Sequence, residues 1–219
     1  MTSRQMVMDL PVRTALGRDS FFVAQSNALA LAKIDAWQDW AGGKLALIGP
    51  EGSGKSHLVA VWAEMSGATI LDLAQLDRRT SGHVAIEDAD RIAGNKEAEE
   101  ALFHLHNRVL GAGSALLLTG RDVPERWGIT LPDLGSRILA ADIAKLGAPD
   151  DTVLAAVLIK LFDDRQLNVA PDVITYLTTR IDRSFAQAER IVARLDQVSM
   201  RERRKINLRF VRDVLKDAA

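Results

Sequence analysis

Gly49-Pro50-Glu51-Gly52-Ser53-Gly54-Lys55-Ser56 is the stretch on which the reading of this chain turns. It follows the apolar run Leu45-Ala46-Leu47-Ile48 and precedes His57-Leu58-Val59-Ala60-Val61-Trp62, whose pattern predicts a helix. Strand, glycine-rich loop and helix in that order are the context a phosphate-binding loop requires. Gly49, Gly52 and Gly54 let successive N–H groups turn inward around a triphosphate, with Pro50 and Ser53 completing the loop. The positive end of the following helix adds to the attraction. Lys55 is placed to meet the β and γ phosphates, and Ser56 offers a hydroxyl to Mg²⁺, which prefers oxygen donors and keeps most of its waters.

Working outward, Ser26-Asn27 reads as a helix start, and Ala28 to Trp40 continues with helical spacing until Ala41-Gly42-Gly43. Beyond the loop helix, Gly67 breaks the chain and Ala68 to Leu73 reads as a second strand. Val84-Ala85-Ile86-Glu87-Asp88 is a third, ending in two carboxylates. Lys96 to Leu110 predicts a helix, and Ser114 to Thr119 is another buried strand, ending in a hydroxyl. Apolar strands that take turns with helices predict a parallel sheet covered on both faces. Active groups in such sheets gather at the carboxyl ends of strands, where Lys55, Glu87, Asp88 and Thr119 all fall. From Pro149 onward the pattern is helical only, over 152–162, 170–180, 184–198 and 207–215. The expected architecture is α/β, a phosphate-loop domain over 13–147 and a small all-α domain over 148–219, preceded by a short peptide over 1–12.

The 219 residues can bury a sizeable core, and 47% apolar with 26% charged residues is the balance of a soluble globular protein. A net charge of -1 argues against a chain whose main task is non-specific contact with phosphate backbones, though it leaves room for a local basic patch. The chain has no cysteine, which excludes thiol catalysis, cysteine-based zinc sites and disulfides together. His104 and His106, two apart on a predicted helix, point to different faces and read as surface or boundary residues. No apolar run approaches the roughly 20 residues of a membrane span, and the first residues lack a signal-peptide core, so a cytoplasmic location is expected.

A nucleotide triphosphatase needs a metal ligand across from the loop and a carboxylate to orient water. Glu87 and Asp88 stand where such an acidic pair belongs. Glu87 at the metal position is one methylene longer than the usual Asp, and Asp88 at the water position one shorter than the usual Glu, so slow intrinsic hydrolysis is expected. Thr119 is a candidate sensor of the γ phosphate. Arg137, in Leu134-Gly135-Ser136-Arg137-Ile138, carries a rigid fork of donors suited to phosphoryl oxygens, including those of a neighbouring molecule's site.

Together these segments resemble the AAA+ module of the bacterial replication initiator DnaA, over about residues 13 to 216. Phe21 to Asn27 looks like that family's adenine-flanking segment, and the loop, the acidic pair, Thr119 and Leu134 to Arg137 follow in its order. Counterparts of the initiator's DNA-binding and N-terminal oligomerisation domains are not expected on this reading. Within this group the chain is similar to the Hda family, whose glutamine-led peptide docks on the replicative sliding clamp. Gln5 matches that glutamine, Met6, Met8 and Leu10 stand at its apolar positions, and Pro11 closes the segment.

The resemblance implies a regulator that acts with DNA-loaded clamp on ATP-bound initiator and stimulates its hydrolysis. Contact with DNA would be indirect, through the clamp. Arg137 matches the family's trans-acting arginine finger, and bound ADP or ATP would set the interaction surface, with self-association a further expectation. The lid's sensor arginine aligns with Ala186, and Arg190, one turn on, is the candidate replacement. Competing readings are a self-sufficient ATPase such as a helicase or clamp loader subunit, a nucleotide-dependent adaptor without a catalytic arginine, and a truncated DNA-binding initiator.

Overall fold

The computed structural model describes residues 27–76 and 80–216. The segment expected to bind the clamp, with Gln5, Met6, Met8, Leu10 and Pro11, and the segment from Phe21 to Ser26 lie outside the described residues.

Among the described residues, five parallel strands form one sheet in the order β2-β3-β4-β1-β5. They are β1 (Lys44–Ile48), β2 (Thr69–Leu71), β3 (Val84–Ile86), β4 (Leu116–Gly120) and β5 (Asp142–Lys145). Helices α1 (Ala28–Asp35), α2 (Lys55–Ser66), α3 (Lys96–Gly111) and α4 (Pro132–Leu139) cover the sheet. The period-two alternation of strand side chains sorts them between two cores. Ala46, Ile48, Val84, Ile86, Leu116 and Leu118 pack with α3 and α4, whereas Leu45, Leu47, Ala85 and Leu117 pack with α1 and α2. Burial on both faces is why these strands read as unbroken apolar runs.

A third core is built only from α5 (Asp151–Asp164), α6 (Pro171–Thr178), α7 (Phe185–Glu202) and α8 (Leu208–Lys216), with the segments that join them. Its starts obey capping chemistry. Asp150 Oδ1 accepts from Val153 N–H, Ser184 Oγ accepts from Gln187 N–H, and Pro171 occupies the first turn of α6. Among the described residues no helix is long and apolar enough to cross a membrane.

Three expectations need correction. Helix α1 stops at Asp35 rather than running to Trp40, and two 3-10 turns follow. The Trp40 indole donates to Lys33 O at 2.7 Å, satisfying a helix-end carbonyl, and its ring stacks on Trp62 at 5.2 Å, a geometry a straight helix would not reach. Strand β5 escaped notice because it is a four-residue edge strand with a charge at each end. His106 is buried, on the inward face of α3 that carries Leu102, Leu105 and Val109, while His104 is exposed. Burial pushes the His106 pKa down, the Asn107 contact opposes this, and Lys44 and Arg137 add to the lowering.

Candidate functional site

The strand register brings the candidate residues to one edge. Leu47 pairs with Thr119, Ile48 with Gly120 and Ile86 with Leu118, so the chain leaves β1, β3 and β4 at one level. Gly49, Glu87, Asp88 and Arg121 begin the segments beyond it.

Between β1 and α2 the loop turns with left-handed φ at Gly52 (71°) and Gly54 (95°), values that favour glycine. A Cβ at Gly52 would fall 1.9 Å from Ser184 Oγ, and one at Gly54 would fall 3.0 Å from the Phe185 ring. Gly52 O also accepts from Phe185 N–H at 2.8 Å. The first turn of α7 therefore rests directly on the phosphate loop.

A cleft of about 580 Å³ opens here, lined by Gly52, Gly54, Lys55 and Ser56 from the loop side and by Phe185, Ala186 and Glu189 from α7. Asp88, Arg91 and Arg121 close it from the strand ends. The buried Lys55 Nζ donates to Gly49 O at 2.7 Å and Pro50 O at 2.9 Å, which leaves one of its three donors for a phosphoryl oxygen. Burial lowers the Lys55 pKa, Asp88, Asp90 and Glu51 pull it back up, and Arg121 pushes it down; the net position lies below the ordinary lysine value. Ser53 Oγ is buried without a hydrogen-bond partner among the described residues, a free polar atom inside the loop.

Asp88 has φ 51° and ψ 41°, a left-handed conformation that Asp adopts more readily than most residues. Its N–H donates to Thr119 Oγ1 at 2.9 Å, and its carboxylate stands 3.5 Å from Arg91 Nη1. Thr119 is itself buried, so its hydroxyl holds the Asp88 backbone and does not line the cleft. Glu87 is likewise absent from the lining. Arg190 is exposed, one turn past Ala186, with its Nε donating back to Ala186 O at 3.3 Å, and it too stands outside the lining residues.

Arg91 and Arg121 were not anticipated. Arg121 N–H donates to Asp90 Oδ2 at 2.9 Å and its guanidinium meets Glu51 at 3.3 Å. Only its place directly after the end of a central strand signalled it. Ser56 and Asp88 face the cleft between the loop and the strand ends, with the carboxylates of Glu51 and Glu189 at its other walls, a sparse set that suits an ion carried mainly by phosphates and water. Among the described residues no three His, Cys, Asp or Glu side chains gather into a metal cage.

Arg137 lies elsewhere. Helix α4 runs back along the sheet, and Arg137 O accepts from Lys44 Nζ, at the amino end of β1, at 2.7 Å. Its exposed guanidinium sits 5.0 Å from the Phe103 ring centroid, within cation–π range. Helix α4 is held at its start by Glu99, a fully buried carboxylate on α3. Glu99 accepts from Thr130 N–H, Leu131 N–H, Gly94 N–H and the Thr130 hydroxyl, at 2.6 to 3.0 Å. Burial alone would raise the Glu99 pKa, but these donors outweigh it and the carboxyl is held below its ordinary value. A fixed negative charge at the start of α4 also suits the helix dipole.

Residues 151–215, spanning α5 to α8, match the family model described as Hda, lid domain. Domain III of the Thermotoga maritima replication initiation protein DnaA superposes with a TM-score of 0.83 at 16% identity, over 95% of this chain and 98% of that one. The chain has a DnaA-like AAA+ fold with an Hda-type lid. AMPPCP-bound DnaA from Aquifex aeolicus is similar at TM-score 0.67 and 14% identity, over 83% of this chain and 64% of that one. A RuvB variant from Thermotoga maritima gives 0.70 at 17% identity, over 94% and 73%. At these identities the likeness establishes the shared AAA+ fold, while the Hda-type lid is identified by its own sequence.

Proposed function

We propose that this chain binds ADP or ATP at the loop of residues 49–56 and, together with DNA-loaded sliding clamp, stimulates ATP hydrolysis by the initiator DnaA in the bacterial cytoplasm. The observation that carries this reading is the separation of Arg137 from its own phosphate loop. The two lie at opposite ends of β1, whose five residues at about 3.3 Å each set them roughly 15 Å apart along the sheet. An exposed guanidinium held there cannot serve its own cleft, but it can serve the cleft of a neighbour.

On the nucleotide side, Lys55 and the N–H groups at the start of α2 hold the phosphates. Ser56, beside Lys55 at the start of α2, and Asp88, at the strand ends, would hold a Mg²⁺ that travels with the nucleotide and would neutralise phosphate charge. Neither Glu87 nor Thr119 faces the cleft, which favours a chain that uses nucleotide as a structural ligand with little turnover of its own. The adaptor reading predicts the same binding without any contribution from Arg137.

The test is phosphate release from ATP-loaded DnaA with this chain and DNA-loaded clamp. Wild type is expected to stimulate release, and Arg137→Ala to lower the stimulation by roughly 10³-fold, the scale of an arginine finger. Stimulation that survives in the variant would replace this reading by the adaptor. Gln5→Ala is expected to abolish retention on immobilised clamp while leaving nucleotide affinity unchanged.

A further inference from the structure

Charge is unevenly distributed along this chain. Residues 201–216 contain seven Lys and Arg against two Asp and Glu, in a protein whose net charge is -1. The two acids are already engaged. Arg204 bridges Glu202 and Asp213 at 3.1 Å each, and Arg201 meets Glu202 at 3.6 Å. The remaining cations stand clear of them. Arg209, Arg212 and Lys216 are all exposed and follow at i, i+3 and i+7, which places them on one face of α8. Helix α6 leads to a fourth cation on the same face. Arg180 and Arg212 lie 5.5 Å and 5.3 Å from the centroid of the Tyr176 ring, which ties the two guanidiniums together. Among the described residues no carboxylate approaches Arg180, Arg209, Arg212 or Lys216 within 4.0 Å.

We propose that this face of the lid binds the sugar–phosphate backbone of duplex DNA directly. From Arg209 to Lys216 the helix rises about 10 Å, which spans about three phosphates of one strand at about 3.4 Å of axis each. Guanidinium forks suit phosphoryl oxygens better than point charges do. A single-strand site would need open aromatic platforms for stacking, and Tyr176 is flanked by two arginines instead. Insertion into an anionic membrane would need an apolar face, and that of α8 is spent in the lid core, where Phe210, Val211 and Val214 are buried. None of Arg180, Arg209, Arg212 and Lys216 lines the nucleotide cleft. The surface is therefore separate from the nucleotide cleft, and both can be occupied at once.

The test uses the full chain alone, without initiator or clamp, so its result does not depend on the proposed regulatory function. Anisotropy of a fluorescein-labelled 30-base-pair duplex is followed from 50 to 200 mM KCl for wild type and for the triple variant Arg209→Ala, Arg212→Ala, Lys216→Ala. Wild type should bind with a steep salt dependence, and the variant should lose about 2.7 from the slope of log K against log salt, since each phosphate contact contributes about 0.9. The charge-conserving pair Arg209→Lys, Arg212→Lys should keep the wild-type slope. Unchanged affinity of all variants for a fluorescent ADP analogue would establish that they are folded. Absence of duplex binding by wild type at 50 mM KCl would overturn the proposal. So would duplex binding that the triple variant retains, tighter binding to a single strand or to phosphatidylglycerol vesicles, or equal competition by polyglutamate of matched charge.

Discussion

A buried lysine is held at each end of β1, Lys44 at its start and Lys55 across the loop from its finish, and the two are held alike but surrounded differently. Lys55 donates to the carbonyls of Gly49 and Pro50, and Lys44 donates to the carbonyl of Arg137. Burial lowers the pKa of both. At the loop end, Asp88, Asp90 and Glu51 partly restore the Lys55 charge, whereas at the far end Arg137 depresses Lys44 further. The contrast teaches what each end is built for. Three carboxylates hold the loop end in rough balance until phosphate arrives, while the far end keeps a cation beside a cation and presents the outer one to solvent. Among the described residues no carboxylate pairs with the Arg137 guanidinium, which suits it to meeting an anion on another molecule.

The two ends should separate on mutation. Lys55→Ala should weaken nucleotide binding by roughly 10- to 100-fold, the loss of one charged hydrogen-bond partner, when measured by calorimetry with ADP. Arg137→Ala should leave that affinity unchanged. Equal losses in both variants would mean that the ends are coupled through the sheet.

A smaller effect comes from the support of the Arg137 helix. Glu99→Gln removes the charge that four donors converge on and should cost about 1.5–3 kcal/mol in urea denaturation at neutral pH. The pH dependence follows from the sign of the shift. Glu99 is lowered in the folded protein, so folding releases protons, and its contribution is complete above the ordinary value of 4.5 and lost as pH falls through the folded value. His106 is lowered too, and its contribution declines as pH falls below 6.5. Wild type should thus lose stability progressively on acidification from about pH 6.5, and Glu99→Gln should flatten only the part below about pH 4.5. The smallest expected change sharpens the contrast itself. Lys44→Met removes the bond to the Arg137 carbonyl and should lower stimulation of the initiator a few-fold without altering nucleotide affinity, as read by phosphate release and calorimetry together.

Much of the nucleotide end was legible because its chemistry is local. Eight consecutive residues set the loop, and unbroken apolar runs marked β1, β3 and β4 with Asp88 and Thr119 at their ends. What was not legible depends on residues far apart in the chain. That Thr119 would turn to the Asp88 backbone follows from the register of β3 and β4, which no single segment encodes. Arg91 and Arg121 reach the cleft only once the strand ends align. The stop of α1 at Asp35 accompanies the stacking of Trp40 on Trp62, on another helix. Nothing local singles out Glu99 among the acids of α3, and only the fold brings Thr130 and Leu131 to it.

The glycines of the loop have a second reader. Ser184 fills the space over Gly52 and Phe185 the space over Gly54, so the absent side chains are matched by present ones far along the chain. The nucleotide motif is therefore written twice, once as eight contiguous residues and once in the opening turn of the lid. Any lineage that altered one copy would have to revise the other.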